Sequence, residues 1–265
     1  DLRRYNTIVI PNGYRPLSDS ELGSLRDWVK QGGTLIAQDN SAANLATENG
    51  IGGVRAIKDA FSDAQSYDIA LQREHLALSD ELDVDAVSAH SVDTDITYPW
   101  DQGSKALNAD ELKRRDTWQS RFMPSGAMVA GRVDTLHWLT FGTPETLPLL
   151  YSEQPALMVN GRQQAVVRVG VLNPNQNAEK ARAINWSTIP QGHDLNVRMS
   201  GLLWPEAASR IANSAYVTRE RVGKGQVILF SGQPNFRGST RGVGRLWLNA
   251  LVYGAGLGTS AAVKL

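Results

Sequence analysis

The chain has 265 residues, with 27 Lys plus Arg against 27 Asp plus Glu and a formal net charge of zero. That size allows one large domain or two small ones, with a core that needs neither metals nor disulfides. The even charge balance excludes a general nucleic-acid or anionic-membrane binder, which needs a basic excess, and the absence of cysteine excludes disulfides, thiolate metal sites and cysteine nucleophiles.

A cysteine-free chain fits a periplasmic or secreted protein. No apolar run approaches about 18 residues, so no membrane span is expected. The chain starts at Asp1 without a signal peptide and reaches a strand at once, which reads as a mature or excised fragment of something longer.

Tyr5 to Pro11 is a β-branched run, and Asn12-Gly13 marks a turn. Such a short continuous apolar run fits a strand covered on both faces. Ser18 and Glu21 make a capping box. Leu22, Leu25, Trp28 and Val29 then recur at helical spacing, and Gly32-Gly33 end the helix. Thr34 to Gln38 is the next strand, so the unit predicts a right-handed βαβ crossover. Asp39 to Asn49 reads as a loop and a short helix with Ser41 and Asn44 as cap residues. Residues 55–120 are the least regular and read as an insertion or cap; Tyr67 to Leu76 and Ala109 to Arg115 have helical character. Gly126 to Asp134 is an alternating strand.

Residues 145–200 are β-rich. Leu147 to Tyr151, Ala156 to Val159 and Gln164 to Leu172 are strands, and Asn160-Gly161 signals a hairpin. Pro205 opens a helix. Ala215 to Val222 and Gln226 to Phe230 flank a tight glycine turn, Gly223-Lys224-Gly225. Leu246 to Tyr253 is a closing helix. The expectation is a single domain over residues 1–265.

Two resemblances follow from these residues. Tyr5 to Ala37, a strand, a helix ending Trp28-Val29 with Gly32-Gly33 and a second strand, resembles the core of class I glutamine amidotransferase-like domains. Arg121 to Ala127, His137 to Gly142, and Gly225 to Phe230 with Pro234 to Gly238 resemble the C-terminal domain of bacterial zinc carboxypeptidases of the carboxypeptidase A superfamily. The resemblance spans most of the chain and is weakest over the central insertion. It implies an α/β, flavodoxin-like, parallel or mixed sheet with helices on both faces and a β-rich insertion or second layer. It also implies an upstream peptidase domain carrying zinc. The His-x-x-Glu zinc pair of that domain does not occur here, so no cofactor is expected in this chain.

The amidotransferase nucleophile is a cysteine on a sharp strand-to-helix turn. The matching turn reads Asp39-Asn40-Ser41-Ala42. Ser41 is a candidate substitute, and the alternative is that Ser41 or Asn40 caps a helix. His137, close after Asp134, is a candidate general base, or a turn histidine bonding backbone. His90 with Asp93 and Asp95 is a candidate cation cluster or a solvated acidic face; Glu74-His75 lacks a second histidine at metal-ligand spacing. Asn235, Arg237 and Arg241 follow a strand's C-terminal end, where open α/β sheets bind ligands. Arg237 can clamp a carboxylate or phosphate, or pair with a carboxylate inside the protein. Trp100, Trp118, Trp186 and Trp204 lie near loops as candidate glycan contacts.

The leading expectation is therefore a non-catalytic accessory or interaction domain, partnered by the upstream peptidase domain and with a possible peptide or glycan ligand. The alternatives are a hydrolase using Ser41 and His137 at the sheet edge, or a small-ligand or glycan binder.

Overall fold

The computed structural model describes residues 1–79 and 108–260. Strand β1 (Thr7–Ile10), helix α1 (Asp19–Lys30) and strand β2 (Thr34–Gln38) form the expected unit, with β1 and β2 parallel. Ser18 caps α1: its hydroxyl accepts from the Glu21 amide, and the Glu21 carboxylate accepts from the Ser18 amide. Arg15 grips the same carboxylate with two nitrogens. These hydrogen bonds, Arg15's first, hold the Glu21 carboxyl down at about 2.

A short helix α2 (Asn40–Leu45) follows. The described part of residues 55–120 is mostly helical rather than irregular, with β3 (Arg55–Ala56), α3 (Ile57–Ala60), α4 (Ala64–Ser79) and α5 (Ala109–Gln119). Helix α5 opens on a second capping box, Asn108 with Glu111. Phe61, Tyr67, Leu71 and Leu112 bury against Met158 and Trp186 in a cluster of their own. Trp186 is thus a core residue and not a surface one.

Then come β4 (Ser125–Val133), β5 (Thr146–Ser152), β6 (Leu157–Met158), β7 (Gln164–Val169), β8 (Val171–Pro174), β9 (Arg182–Ile184), β10 (Ser187–Ile189), β11 (His193–Asn196) and β12 (Arg198–Ser200). Helix α6 (Pro205–Ile211), β13 (Ala215–Val222), β14 (Gly225–Phe230) and α7 (Arg241–Tyr253) close the chain. The main sheet has the order β1-β2-β14-β13-β7-β4-β12, with β5 beside β4 and β6 beside β13 and β3. The pairs β1–β2 and β2–β14 are parallel, and the sheet is antiparallel from β13 onward. Two small ladders, β8–β11 and β9–β10, lie outside it.

Alternation along the central strands sorts their side chains to two cores. Leu35, Ala37, Val227 and Leu229 join Leu25, Trp28 and Val29 of α1. Ile36, Ile228 and Phe230 join Val243, Leu246 and Ala250 of α7. With a helix over each face, β2 and β14 are buried throughout. This is an α/β fold with a mixed sheet, in agreement with the class expected.

One turn signal misleads. Gly161 takes a positive φ of 89° as the Asn-Gly pair suggests, yet β6 and β7 do not form a hairpin. Both pair with β13 instead. A turn sets local direction, while the partner that buries the strand sets the pairing.

The glycine turn before β14 forms the expected hairpin, with Val222 opposite Gly225. A β-carbon on Gly225 would overlap the carbonyl oxygens of Val29 and Gly33. Glycine therefore lets β14 start hard against the end of α1, and the Lys224 amide donates to the Lys30 carbonyl at 3.0 Å. The motif is a packing device, not a phosphate loop.

Gln226, fully buried, then ties the sheet to the end of α7. Its Nε2 donates to the Gly254 carbonyl at 2.7 Å, to Leu257 at 2.9 Å and to Thr34 Oγ1 at 3.3 Å, while its Oε1 accepts from Arg219 Nε at 2.9 Å. Gln226→Ala strips a donor from two carbonyls and an acceptor from a guanidinium. It should lower the unfolding free energy by about 2–3 kcal/mol, read as a lower urea midpoint at unchanged slope.

Candidate functional site

Strand β2 ends at Gln38 and the chain turns at once into α2. The turn residue is Asp39, at φ 54° and ψ −126°. Such a backbone costs a non-glycine residue about 1–3 kcal/mol. It is held because the Asp39 amide donates to the Phe230 carbonyl at 2.9 Å, which continues the β2–β14 ladder, while the Asp39 carbonyl accepts from Ala43 at 3.0 Å in α2. The carboxylate is oriented in turn: its Oδ2 accepts from Gln233 Nε2 at 3.0 Å.

Asp39 lines a hollow of about 220 Å³. Its other walls are Ser125 and Gly126 at the start of β4, Leu150, Ser152 and Gln154 around the end of β5, and Gln233 and Phe236 after β14. It sits outside the C-terminal ends of the parallel strands, where such sheets hold ligands. Gln154 is fixed, donating to the Leu150 carbonyl at 2.8 Å and accepting from the Ser152 amide. Gly232 lets the loop pass over it, since a β-carbon there would strike Gln154 Nε2 and Tyr216 Oη.

Burial pushes the phenols of Tyr151 and Tyr216 well up, and the charge of Asp39 adds to this. The Tyr151 hydroxyl and the Ser231 hydroxyl are buried with no hydrogen-bond partner. The hollow thus offers one carboxylate, two carboxamides, two serine hydroxyls and an aromatic lip. Among the described residues no Lys, Arg or His lines it. Its carboxylate accepts hydrogen bonds, while the carboxamides and hydroxyls both donate and accept.

The other singled-out residues fall elsewhere. Ser41 is not the cap of α2; that position is Asp39. Ser41 is buried in the helix's first turn, and its hydroxyl donates to the Pro11 carbonyl at 2.6 Å, joining α2 to the end of β1. His137 is buried, and its Nδ1 accepts from the Leu139 amide at 3.1 Å, as a turn histidine does. It neighbours Gln164 and Arg219; Arg219 reaches Gln226 at the start of β14, whereas Ser41 follows the end of β2. The two lie toward opposite ends of the sheet and form no catalytic pair.

Asn235, Arg237 and Arg241 are exposed and do not line the hollow. Arg237, at φ 50°, lies with its Cζ 5.2 Å from the Phe236 ring centre. It makes no ion pair among the described residues. Glu74 pairs with Arg168, and His75 meets His193 edge-on at 5.2 Å. His90, Asp93, Asp95 and Trp100 lie outside the described residues. Among the described residues no group of three His, Asp or Glu is placed to hold a metal, and no helix is long and apolar enough to cross a membrane. Trp118 and Trp204 are about half exposed.

The candidate loop, Gln233 to Arg241, does reach the hollow, but with Gln233 and Phe236 and not with the residues singled out in it, and Asp39 was passed over. The available signal was an Asp directly between the strand Thr34–Gln38 and a helix. Asp is among the few residues that tolerate positive φ.

No protein-family model matches the sequence, and no curated protein matches it. Among solved structures the chain is similar to a ThuA-like protein from Bacteroides uniformis, at 12% identity over 99% of this chain and 74% of that one, with a TM-score of 0.42. It is also similar to a cytoplasmic protein from Salmonella typhimurium, at 13% identity over 95% and 72%, with a TM-score of 0.39. These are likenesses of fold at long range.

Two measurements check this geometry. Asp39→Gly relieves the strained backbone and should raise the unfolding free energy by about 1 kcal/mol, read in urea unfolding; a loss would show that the Gln233 bond outweighs the strain. His137 supplies the second. Burial holds its pKa below the ordinary 6.5. The unfolded chain takes up a proton as pH falls through about 6.5, and the folded chain does so only lower, so stability declines as pH falls through that window. His137→Asn keeps an acceptor for the Leu139 amide and should flatten that decline between about pH 7.5 and 5.

Proposed function

We propose that the chain is a non-catalytic, amidotransferase-like binding domain, holding a small donor-rich ligand of peptide or glycan origin in the Asp39 hollow. The observation that carries this reading is Asp39 itself. It occupies the strained strand-to-helix turn where the amidotransferase class keeps its nucleophile, and among the described residues no histidine lines the hollow. A carboxylate there anchors hydroxyl or ammonium donors, with Gln233, Ser125 and Ser152 as further contacts and Phe236 as an apolar lip. The resemblance of Arg121 to Ala127, His137 to Gly142 and Pro234 to Gly238 to zinc carboxypeptidases supports a role as accessory domain to such a peptidase. The zinc and the peptide hydrolysis would belong to that partner, and a periplasmic or secreted setting goes with it.

The test is titration of the 265-residue chain with N-acetylglucosamine and with D-alanyl-D-alanine, followed by amide NMR. One of them should shift Asp39, Gly126 and Gln233, and Asp39→Asn should weaken that binding by about tenfold, the worth of one charge-assisted hydrogen bond. Shifts confined to other surfaces, or none, overturn the binding reading. Amide hydrolysis by the chain that disappears in Asp39→Asn overturns its non-catalytic part.

A further inference from the structure

We infer that the outward face of α7 docks on the surface of a bilayer that carries anionic phospholipid. The inference does not depend on the Asp39 hollow. The even charge of the whole chain hides a local excess. From Arg221 to Ser260 there are five cations, Arg221, Lys224, Arg237, Arg241 and Arg245, and no Asp or Glu. Helix α7 turns Val243, Leu246 and Ala250 into the core. At about 100° per residue, Arg241, Gly244, Arg245, Leu248, Leu251 and Val252 then share the opposite side. An outward helix face is ordinarily polar. Here Leu248 is 53% exposed and Val252 68%, and the two arginines are the only polar side chains of the six.

The patch extends past the helix. Asn249 Nδ2 donates to the carbonyls of Leu139 and Phe141 at 2.8 and 2.9 Å. This holds Phe141 against the flank of α7, where its ring meets Tyr253 edge-on at 6.2 Å, both rings exposed. Arg245 Nε donates to the Phe141 carbonyl at 3.3 Å, and its two Nη atoms have no hydrogen-bond partner among the described residues. Arg237, Arg241 and Arg245 make no ion pair there either. Of the acids on the segments that adjoin α7, Asp39 binds Gln233 and Asp134 binds the Leu136 amide. Glu145 and Glu153 are exposed and pair with no cation among the described residues. The face therefore keeps an excess of cations beside apolar and aromatic groups. That combination matches a phospholipid surface: guanidinium forks bind phosphate, leucine and valine enter the acyl boundary, and tyrosine sits at headgroup level. A second copy of the same face would bring no acid to the arginines and is the poorer occupant.

The test is flotation of the 265-residue chain with vesicles of phosphatidylcholine alone and of equimolar phosphatidylcholine and phosphatidylglycerol. The chain should float with the anionic vesicles and not with the neutral ones. Its partition should fall about tenfold or more between about 0.05 and about 0.5 M NaCl. Arg241→Gln with Arg245→Gln should weaken partition by about 25-fold, at about fivefold for each arginine, and Leu248→Gln with Val252→Gln by about tenfold. All four side chains are exposed, so both double variants should keep the wild-type urea midpoint. The chain lacks cysteine, so Leu248→Cys takes a single polarity-sensitive fluorophore. Its emission should shift to the blue on anionic vesicles, whereas the same probe at Ser200→Cys, exposed on β12, should not respond. Four results overturn the inference: no binding by about 1 mM anionic lipid, equal binding to neutral vesicles, unchanged binding of the arginine double variant, or a probe at Leu248→Cys that shifts with protein concentration in the absence of lipid, as when a second copy covers the face.

Discussion

The structure depends on β14 lying parallel beside β2 with both strands buried on two faces. β14 is the next-to-last element of the chain and β2 among the first. Until they meet, Ile36, Ile228 and Phe230 have no core to share with α7, and Leu35 and Leu229 share none with α1. The pairing is permitted by an absence of atoms: Gly225 carries no β-carbon where the Val29 and Gly33 carbonyls approach. It is then locked by a polar side chain, since Gln226 spends its hydrogen bonds on the end of α7, Thr34 and Arg219. A buried carboxamide with every group matched adds specificity of register that leucine would not.

The strain at Asp39 follows from the same ladder. The bond from its amide to Phe230 continues the pairing by one residue beyond β2, and the carbonyl is already committed to α2. With both ends fixed, the backbone between them has no relaxed conformation open to it. Strain of this sort survives only where neighbours over-determine it, and here it turns a carboxylate toward Gln233 and the hollow instead of into the helix.

Much of the fold was legible because local and tertiary preferences agree. The Ser18–Glu21 box, the apolar spacing of α1, the βαβ unit and the glycine hairpin all carry their own short-range signals. Where the signal was local but the outcome tertiary, reading failed: Asn160-Gly161 marks a turn, yet β13 takes both flanking strands. The candidate site was less legible. Ser41 drew attention as a replacement nucleophile, but the residue at the turn is two positions earlier. Arg237 drew attention by charge, yet the loop reaches the hollow with the neutral Gln233 and Phe236. Nothing in residue type distinguishes a side chain that points inward from its neighbour that does not.

The hollow is lined from both halves of the sheet. Asp39 and Gln233 follow strands of the parallel half, whereas Ser125, Leu150, Ser152 and Gln154 belong to β4, β5 and the residues after them in the antiparallel half. Neither half forms the site alone. The antiparallel half is braced by charge: Arg168 of β7, almost fully buried, is gripped by Glu74 of α4 at 2.6 and 2.7 Å, and Arg210 of α6 binds Asp116 of α5 at 2.7 Å. Buried pairs of this kind add little net stability, but losing one partner leaves a stranded charge. Their effect is to fix how the helices of the central region seat against β7 and α6. The hollow's one acidic group takes its position from the ladder of the parallel half, through the Asp39 amide bond to Phe230.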